Sequence, residues 1–223
     1  MDDYHRRLAR IALGAAGEHG FALAGGYAVQ AHGVLQRPSE DIDLFTSSVR
    51  DDFADGVTKV CNAYAEHGLA VHVDVESPQF VRLSVSDAAT GQVTKVELAA
   101  DLRAHPPVTM EIGPVVHLDD VAGGKVEALF TRAEVRDFID VDALLTSGRF
   151  SRERLLDLAA SRDLGFDRAV FAQMLSAIDL YPDSEFIAYG LTEPQVHTLR
   201  SHFADWRTAL AQAGDKDQPR SGL

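Results

Sequence analysis

The order of apolar and polar residues at the start of the chain changes between helical and strand spacing. From Asp2 to His19, apolar residues recur at helical intervals, which predicts an amphipathic helix that ends at Gly20. The run FALAGG predicts a short buried strand that enters a tight turn, and YAVQAHG predicts a short helix after it. A further helix is predicted over residues 49–67.

Strand spacing is clearest in the segment EDIDLF, where acidic and apolar residues alternate. Because successive side chains of a strand point to opposite faces, Asp41 and Asp43 share one face while Ile42 and Leu44 share the other. The segments LAVHVDVE, QFVRLSVSD and QVTKVELAAD predict three more strands, the last two as a hairpin. A short strand, GPVVHL, closes this part of the chain near residue 118.

Beyond residue 118 the apolar spacing is helical. The segments with this spacing are DDVAGGKVEALFTRA, EVRDFIDVDALLTSG, SRERLLDLAASRD, FDRAVFAQMLSAI and EPQVHTLRSHFADWRTALAQ. We therefore expect an α+β (α/β) fold, in which residues 1–118 form a head with a small mixed β-sheet and flanking helices. Residues 119–214 are expected to form a C-terminal helical bundle, and residues 215–223 a polar, flexible tail.

Charge restricts the partners of the protein. The net charge is −13, from 34 acidic and 21 basic side chains, which opposes nonspecific attraction to nucleic-acid backbones. An RNA substrate would therefore need a local basic patch. Arginines do cluster in the helical region, at Arg132, Arg136, Arg149, Arg152 and Arg154.

Other features of the composition exclude several classes of function. No apolar run reaches the roughly 18 residues that a membrane-spanning helix needs, and the start lacks the layout of a cleavable signal, so we expect a cytoplasmic protein without membrane partners. Cys61 is the only cysteine, which excludes an internal disulfide and favours a buried, inert thiol. The nine histidines show no HxxxH or HxH spacing, which argues against a zinc site.

Asp41 and Asp43 are candidate metal ligands. Phosphoryl and nucleotidyl transfer use divalent cations that stabilise the attacking and leaving oxygens, and carboxylates on one strand face can hold such cations. A third carboxylate from a neighbouring strand would complete an oxygen-rich Mg²⁺ site. Glu97 in TKVELAADL is the candidate, and Asp101 is the alternative. The competing interpretation is a solvent-facing strand, where acids also alternate with apolar residues.

The glycine pair Gly25-Gly26 fits the same chemistry. Residues without Cβ let backbone N–H groups approach phosphates closely at the positive end of a helix. Two adjacent glycines are also common in ordinary turns, so the pair alone is weak evidence. The order strand, glycine pair, short helix and then D-x-D carries more weight, since it brings both features to one edge of a small sheet.

These residues carry a resemblance to a known family. LAGGYAVQAHGVLQRPSEDIDLF resembles the signature of the nucleotidyltransferase superfamily related to DNA polymerase β, and within it the AbiEii/AbiGii (MenT-like) toxin group. VTKVELAADLRAHPP is similar to the strand of this group that carries the third carboxylate. DDVAGGKVEALFTRAEVRDFIDVDALL resembles its later motifs, a lysine on one helix followed by R-D-x-x-D. The resemblance extends over residues 20–146.

The resemblance implies a role for each matching residue of the head. Gly25 and Gly26 would contact the triphosphate, and Asp41 and Asp43 would bind metal. Glu97 would assist metal binding or deprotonate the acceptor.

The resemblance also implies that the helical region contributes to the active site. Lys125 would hold phosphate or the acceptor, and Asp140 would complete the pocket. Four further residues of the active site are implied: Arg37, Arg132, Arg136 and Asp137. Of these, Arg37 and Arg136 would contact the nucleotide.

Two departures from the family pattern are visible. Glu97 stands where such sequences more often have Asp, which lengthens the reach of the carboxylate by one methylene. Gly123-Gly124 precede Lys125 where a stronger helix former is usual, and two glycines cost a helix interior ~2 kcal/mol relative to alanine. The helix is therefore expected to start at Lys125 itself.

The leading hypothesis is an enzyme dependent on Mg²⁺ or Mn²⁺ that transfers a nucleotide from a nucleoside triphosphate (NTP) to an acceptor hydroxyl. The resemblance implies RNA, notably a tRNA 3′ end, as the acceptor, and a cognate antitoxin as a partner. One alternative is nucleotidylation of a small molecule such as an aminoglycoside, whose amines suit an acidic protein. The other is a catalytically idle module of the same fold that binds nucleotides or partners.

Overall fold

The computed structural model describes residues 1–48 and 51–217 of the chain. Their contacts define two compact units, Met1–Val121 and a second unit from Ala122 onward. Every strand in the described residues belongs to the first unit, and the second is helical. The mixed α/β fold expected from the sequence is confirmed. Within the described residues, none of the helices is long and apolar enough to cross a membrane.

The first unit is built around a seven-stranded mixed sheet with the strand order β3-β4-β5-β2-β1-β7-β6. Its β2–β5 and β1–β7 pairs are parallel, and the other pairs are antiparallel. Its elements are α1 (Asp3–Ala16), a 3-10 turn (Gly17–His19), β1 (Ala22–Leu23), α2 (Gly25–Ala31), β2 (Asp41–Thr46), α3 (Asp51–Glu66), β3 (Ala70–Ser77), β4 (Phe80–Asp87), β5 (Gln92–Ala100), β6 (Val108–Met110) and β7 (Gly113–Val115).

The centre of the sheet has one apolar face. Ile42 of β2 lies beside Val96 of β5, and Leu44 lies beside Leu98. All four side chains are fully buried. The alternation in the two strand sequences therefore leaves the acidic residues of β2 on the opposite face, as the sequence predicted.

α1 covers part of the core of this unit. It begins after Asp2, whose carboxylate accepts a hydrogen bond of 2.8 Å from the backbone N–H of His5. The 3-10 turn that follows it ends at Gly20, which has φ +73°. α1 packs against α3, where the Tyr64 hydroxyl donates to the Leu8 carbonyl oxygen at 3.2 Å.

The second unit has an aromatic core. Phe171 meets Trp206 edge to face with ring centroids 5.3 Å apart, and Phe138 meets Phe203 in the same way at 5.1 Å. Its elements are most of α4 (Leu118–Thr131), then α5 (Val135–Thr146), α6 (Arg152–Arg162), α7 (Arg168–Met174), a 3-10 segment (Leu175–Leu180), α8 (Asp183–Ala188) and α9 (Glu193–Asp217).

Some boundaries differ from the sequence prediction. β6 and α8 were not predicted, because elements of three and six residues are too short to show a period. Part of the segment FDRAVFAQMLSAI is a 3-10 helix rather than a continuation of α7. α9 continues to Asp217, into the segment expected to be a flexible tail, and residues 218–223 lie outside the described residues. Residues 49–50 of the predicted third helix also lie outside them.

Candidate active site

The two aspartates of β2 lie on one face of the strand and face different neighbours on β5. Asp43 pairs with Glu97, and Asp41 pairs with Lys95, in the parallel register. Both aspartates are half-buried, as is Glu97. Two carboxylates on adjacent strands in direct register are a concentration of negative charge, which a divalent cation or a basic side chain can balance.

Glu97 has a basic partner on its other side. Arg82 of β4 pairs with Glu97 in the antiparallel register, and its Nε and Nη2 atoms each lie 2.8 Å from Oε1 of Glu97. We call Asp41, Asp43 and Glu97 the acid row. Among the described residues, the three potential metal ligands that lie within 4.8 Å of one another are outside this row. A cation shared by Asp41, Asp43 and Glu97 would therefore require these three side chains to move closer together.

Asp101 occupies a different position from Glu97. It follows the end of β5, where its backbone N–H donates to the Thr46 carbonyl oxygen at 2.8 Å. Four residues of extended chain separate it from Glu97, which is about 13 Å along a strand. The register therefore favours Glu97 over Asp101 as the neighbour of Asp43.

Gly25 lies against the Asp43 side chain. Its φ is +56°, and a Cβ added there would lie 1.7 Å from Oδ2 of Asp43. A side chain at this position would overlap the carboxylate and would also strain the backbone. The backbone N–H of Ala24 donates to the Asp43 carbonyl oxygen at 2.8 Å, which holds the turn beside β2. The sequence prediction that the glycine pair and the acids lie at one edge of the sheet agrees with this contact.

Gly26 also has a close neighbour, Ser39, which the sequence did not indicate. A Cβ added at Gly26 would lie 2.7 Å from Oγ of Ser39 and 3.2 Å from Nη2 of Arg37. Arg37 is buried, at 7% exposure, and its Nη1 donates to the Pro38 carbonyl oxygen at 2.8 Å. Ser39 stands two residues before Asp41, in the short loop that leads into β2. This position is the only feature of the sequence that could have indicated its closeness to Gly26.

A buried polar network supports this turn. The Tyr27 hydroxyl donates to the Ser39 carbonyl oxygen at 3.0 Å and also contacts Nδ1 of His5. Nε2 of His5 lies 2.9 Å from the Thr94 hydroxyl on β5. Burial raises the pKa of Tyr27 to about 12, with smaller contributions from the charges of nearby acids, so the hydroxyl remains a donor at neutral pH. Burial also lowers the pKa of His5.

In the second unit, Lys125 and Asp140 form an ion pair. Nζ of Lys125 lies 2.8 Å from Oδ2 of Asp140, whose side chain is fully buried. The prediction that a helix starts at Lys125 is wrong, because α4 runs from Leu118 to Thr131 and places Lys125 in its interior. The predicted grouping of Lys125 with Asp140 agrees with this contact.

The two glycines before Lys125 are explained by close packing. A Cβ added at Gly123 would lie 2.6 Å from Cδ of Arg162 and 3.1 Å from the Leu158 carbonyl oxygen, both on α6. Gly124 has no neighbour nearer than 3.8 Å. A larger residue at position 123 would push α6 away. Close packing of the two helices therefore explains why glycine stands there despite its poor helix propensity.

Two arginines of the predicted cluster, Arg132 and Arg136, form ion pairs. Arg132 donates from Nε and Nη2 to the two carboxylate oxygens of Asp137, at 2.9 and 2.8 Å. Asp137 is fully buried, and it also accepts from the backbone N–H of Glu134 in the capping box that begins α5. Arg136 pairs with Glu134 at 3.0 Å. Asp137 therefore stabilises the start of α5.

The acid row, the turn at Gly25-Gly26 (the glycine turn) and the mixed sheet agree with the nucleotidyltransferase class. Comparison with known proteins assigns the chain to this class. The pattern of the family described as "Nucleotidyl transferase AbiEii toxin, Type IV TA system" matches residues 6–220. The chain belongs to this family of nucleotidyltransferase toxins. Among curated protein sequences, none matches the chain at the level required of a relative.

Two solved structures are similar to this chain in fold, and a third was also matched. A Helicobacter pylori protein, provisionally described as a nucleotidyltransferase, has a TM-score of 0.59 at 15% identity, covering 99% of this chain and 100% of its own. JHP933 from Helicobacter pylori has a TM-score of 0.59 at 15% identity, covering 96% and 94%. MenT4, a nucleotidyltransferase toxin from Mycobacterium tuberculosis H37Rv, has a TM-score of 0.48 at 17% identity, covering 92% and 83%.

Proposed function

We propose that this chain transfers a nucleotide from an NTP to an acceptor hydroxyl, with Asp41, Asp43 and Glu97 at the reaction centre. The observation that carries the proposal is the joint position of Asp43, which lies in register with Glu97 and in contact with Gly25. A carboxylate next to another carboxylate is costly unless a cation balances it. Because Gly25 has no Cβ, that carboxylate lies directly against the backbone of the turn that is proposed to face the triphosphate.

The residues of the acid row fit Mg²⁺ or Mn²⁺. Both ions prefer oxygen ligands, and the row offers three carboxylates with no nitrogen or sulfur donor among them. Asp41 and Asp43 would hold the ion, and Glu97 would join them by exchanging its contact with Arg82. Bound there, the ion would neutralise charge on the triphosphate and on the leaving pyrophosphate.

The groups of the chain then have separate tasks in the transfer. The acceptor oxygen forms a bond to the α-phosphorus, the bond from that phosphorus to the bridging oxygen breaks, and pyrophosphate leaves. The carboxylate of Glu97 receives the proton of the acceptor hydroxyl when it is not a ligand. Gly25 and Gly26 present backbone to the triphosphate, and Arg37, beside Gly26, compensates its charge.

The resemblance of the later motifs to the family supports a role for three residues of the second unit in the reaction. Lys125 holds phosphate or acceptor, and Asp140 orients its ammonium group through their 2.8 Å contact. Arg136 is proposed to contact the nucleotide. Because Asp140 is fully buried, removing Lys125 would take away a charged partner of that carboxylate, so Lys125→Met is expected to lower stability as well as activity.

We propose RNA, in particular the 3′ end of tRNA, as the acceptor in a toxin–antitoxin setting, with a cognate antitoxin as the regulatory partner. The family membership supports the toxin role. The net charge of −13 favours a second candidate, a cationic small molecule such as an aminoglycoside. RNA binding weakens steeply as salt rises, because counterions are released from the phosphate backbone, whereas binding of a small molecule depends less on salt.

The test is incubation of the protein with each α-³²P-labelled NTP, Mg²⁺ and total cellular RNA, followed by gel analysis. A labelled band of tRNA size is expected for the unmodified chain. Asp41→Ala and Asp43→Ala should reduce labelling by at least about 100-fold, as expected for loss of groups that stabilise transition-state charge. Asp101→Ala is the matched control, since it removes a nearby carboxylate outside the row and should retain labelling.

The outcomes separate the candidate functions. Label in a small molecule but not in RNA would replace the RNA acceptor with the second candidate. Unimpaired labelling by folded Asp41→Ala and Asp43→Ala proteins would exclude the acid row as the reaction centre. Absence of labelling with any acceptor, together with absence of NTP binding, would indicate a catalytically idle member of the family.

A further inference from the structure

We propose that His105, His117 and Asp119 form a binding site for a divalent transition-metal ion, with Zn²⁺ as the best match to the donor set. Each of the three half-buried side chains offers one ligand atom, and these atoms all lie within 4.8 Å of one another. None of the three belongs to the acid row or to the glycine turn. The proposal therefore does not depend on the proposed transfer reaction.

The topology of the first unit brings these residues together from separate segments. His105 lies between β5 and β6, His117 follows β7, and Asp119 lies in the first turn of α4. β6 and β7 form an antiparallel hairpin, which returns the chain to the neighbourhood of His105. Eleven residues separate the two histidines, so the cluster has no short spacing motif, and the sequence argument against zinc, which rested on such motifs, does not apply to it.

Asp120 holds His105 in place. Its carboxylate, with the residue at 6% exposure, accepts hydrogen bonds from the backbone N–H groups of Ala104 and His105, at 2.8 and 3.0 Å. The same carboxylate lies 3.3 Å from Nδ1 of His105. Histidines that bind metals commonly donate one ring N–H to a carboxylate, which fixes the tautomer and leaves the other nitrogen as the ligand. His105 and Asp120 have this arrangement, so Nε2 of His105 is the proposed ligand atom.

His117 lies parallel to His105. The two imidazole rings stack with centroids 4.4 Å apart and an angle of 22° between their planes. Nδ1 of His117 accepts a hydrogen bond of 3.2 Å from the backbone N–H of Asp119. A metal at Nδ1 displaces this bond directly, and a metal at Nε2 displaces it because the ring proton moves to Nδ1. Coordination at His117 thus exchanges one long hydrogen bond for a metal–ligand bond.

The donor set selects the kind of ion. Two imidazole nitrogens and one carboxylate oxygen suit Zn²⁺ and related first-row ions, whereas Mg²⁺ prefers oxygen ligands alone. Zinc ligand bonds of about 2.0–2.2 Å put neighbouring ligands of a tetrahedral site about 3.4 Å apart. The three ligand atoms must therefore close from at most 4.8 Å to that spacing, by side-chain rotation. Three protein ligands leave a fourth position for water.

The experiment is equilibrium dialysis of the full chain against Zn²⁺ with a competing chelator of known affinity, followed by metal analysis. One tightly bound Zn²⁺ is expected for the unmodified chain. His105→Gln and His117→Gln should each weaken Zn²⁺ binding at least about 100-fold, and Asp120→Asn by about 10–100-fold. His197→Gln, which changes an exposed histidine of α9, is the matched control and should bind as the unmodified chain does. Asp43→Asn should also retain binding, which separates this site from the acid row.

A direct measurement covers the case in which a histidine variant does not fold. The imidazole nitrogens of the unmodified chain are observed by two-dimensional ¹H–¹⁵N NMR during Zn²⁺ addition. The proposal expects large shifts of one ring nitrogen each in His105 and His117, saturating at one equivalent. Unchanged resonances of these two rings would overturn the proposal, as would Zn²⁺ binding that folded His105→Gln and His117→Gln proteins retain in full.

Discussion

The molecule contains two glycine pairs, Gly25-Gly26 in the first unit and Gly123-Gly124 in the second. The two pairs differ in backbone geometry and in the reason for having glycine. Gly25 has φ +56° and begins a helix, with the Asp43 carboxylate in the space that a side chain would fill. Gly123 lies inside a helix and allows close approach of α6. The first pair is adjacent to polar chemistry, and the second is explained by packing.

This comparison shows what a glycine pair means in a sequence. Both pairs are followed by helical residues, so local spacing predicted that a helix begins after each of them. The neighbour that excludes a side chain is the Asp43 carboxylate at Gly25, whereas at Gly123 it is the Arg162 side chain together with the Leu158 carbonyl oxygen. Only contacts made by residues distant in the chain distinguish the two glycine pairs. Substitution at Gly25 should therefore lower activity, whereas substitution at Gly123 should lower stability.

The largest effect is expected for Gly25→Ala. The added methyl would displace the Asp43 carboxylate, and misplacement of a reacting group by about 1 Å can cost roughly 100-fold in rate. We expect NTP transfer per folded molecule to fall by about that factor, measured by the labelling assay. The left-handed backbone should also cost about 1–2 kcal/mol of stability, measured by urea unfolding.

Gly33→Ala is the matched control for this prediction. Gly33 has φ +69° but no atom within 4 Å of an added Cβ, so the variant carries the same backbone strain without touching the acid row. Its stability should fall by about 1–2 kcal/mol, while transfer per folded molecule stays near the unmodified value. Equal transfer activity of the two variants would show that the Gly25–Asp43 contact has no part in catalysis.

Gly123→Ala should reduce stability by a smaller amount. Overpacking against α6 costs typically about 1–3 kcal/mol, and the better helix propensity of alanine returns about 1 kcal/mol. The net loss of unfolding free energy should therefore be about 0–2 kcal/mol, measured by urea unfolding. A variant more stable than the unmodified chain would contradict the explanation of this glycine by packing.

Gly124→Ala should have the opposite sign. With no neighbour nearer than 3.8 Å, an added methyl meets no obstacle. The variant should gain up to about 1 kcal/mol of stability from helix propensity alone. Thermal unfolding of Gly123→Ala and Gly124→Ala, measured under the same conditions, compares adjacent positions of one helix. Identical shifts of the unfolding temperature would contradict the proposal that only Gly123 is required by packing.

The smallest effect concerns the network behind the first glycine pair. Burial lowers the pKa of His5 from 6.5, so the unfolded chain takes up a proton more readily than the folded chain. This contribution to stability is complete above pH 6.5 and is lost as pH falls through the lower folded pKa. His5→Gln should therefore lose less stability than the unmodified chain between pH 7.5 and pH 5 in urea unfolding. A larger loss in the variant would contradict this assignment.

Much of the first unit could be predicted because its patterns are local. The alternation around Asp41 and Asp43 fixed the faces of β2, and the hairpin of β4 with β5 followed from adjacent strand patterns. These features depend on residues close together in the chain or on strands with clear periodicity.

The remainder depended on long-range contacts. Ser39 reaches Gly26 only because the loop before β2 returns to the start of α2. The helical interior position of Lys125 depends on α6, which packs over Gly123. The cluster of His105, His117 and Asp119 depends on a hairpin whose first strand has three residues. The secondary-structure preferences of single residues do not indicate such contacts between distant parts of the chain.

The central claim is that Asp43, beside Gly25 and Glu97, belongs to an NTP-binding reaction centre. Calorimetric titration of NTP in the presence of Mg²⁺ tests it most directly, with Asp43→Asn and Asp101→Asn compared with the unmodified chain. We expect binding that is lost on metal removal, weakened at least about tenfold by Asp43→Asn, which is 1.4 kcal/mol of binding free energy, and unchanged in Asp101→Asn. Equal affinity of folded Asp43→Asn and the unmodified chain would contradict it.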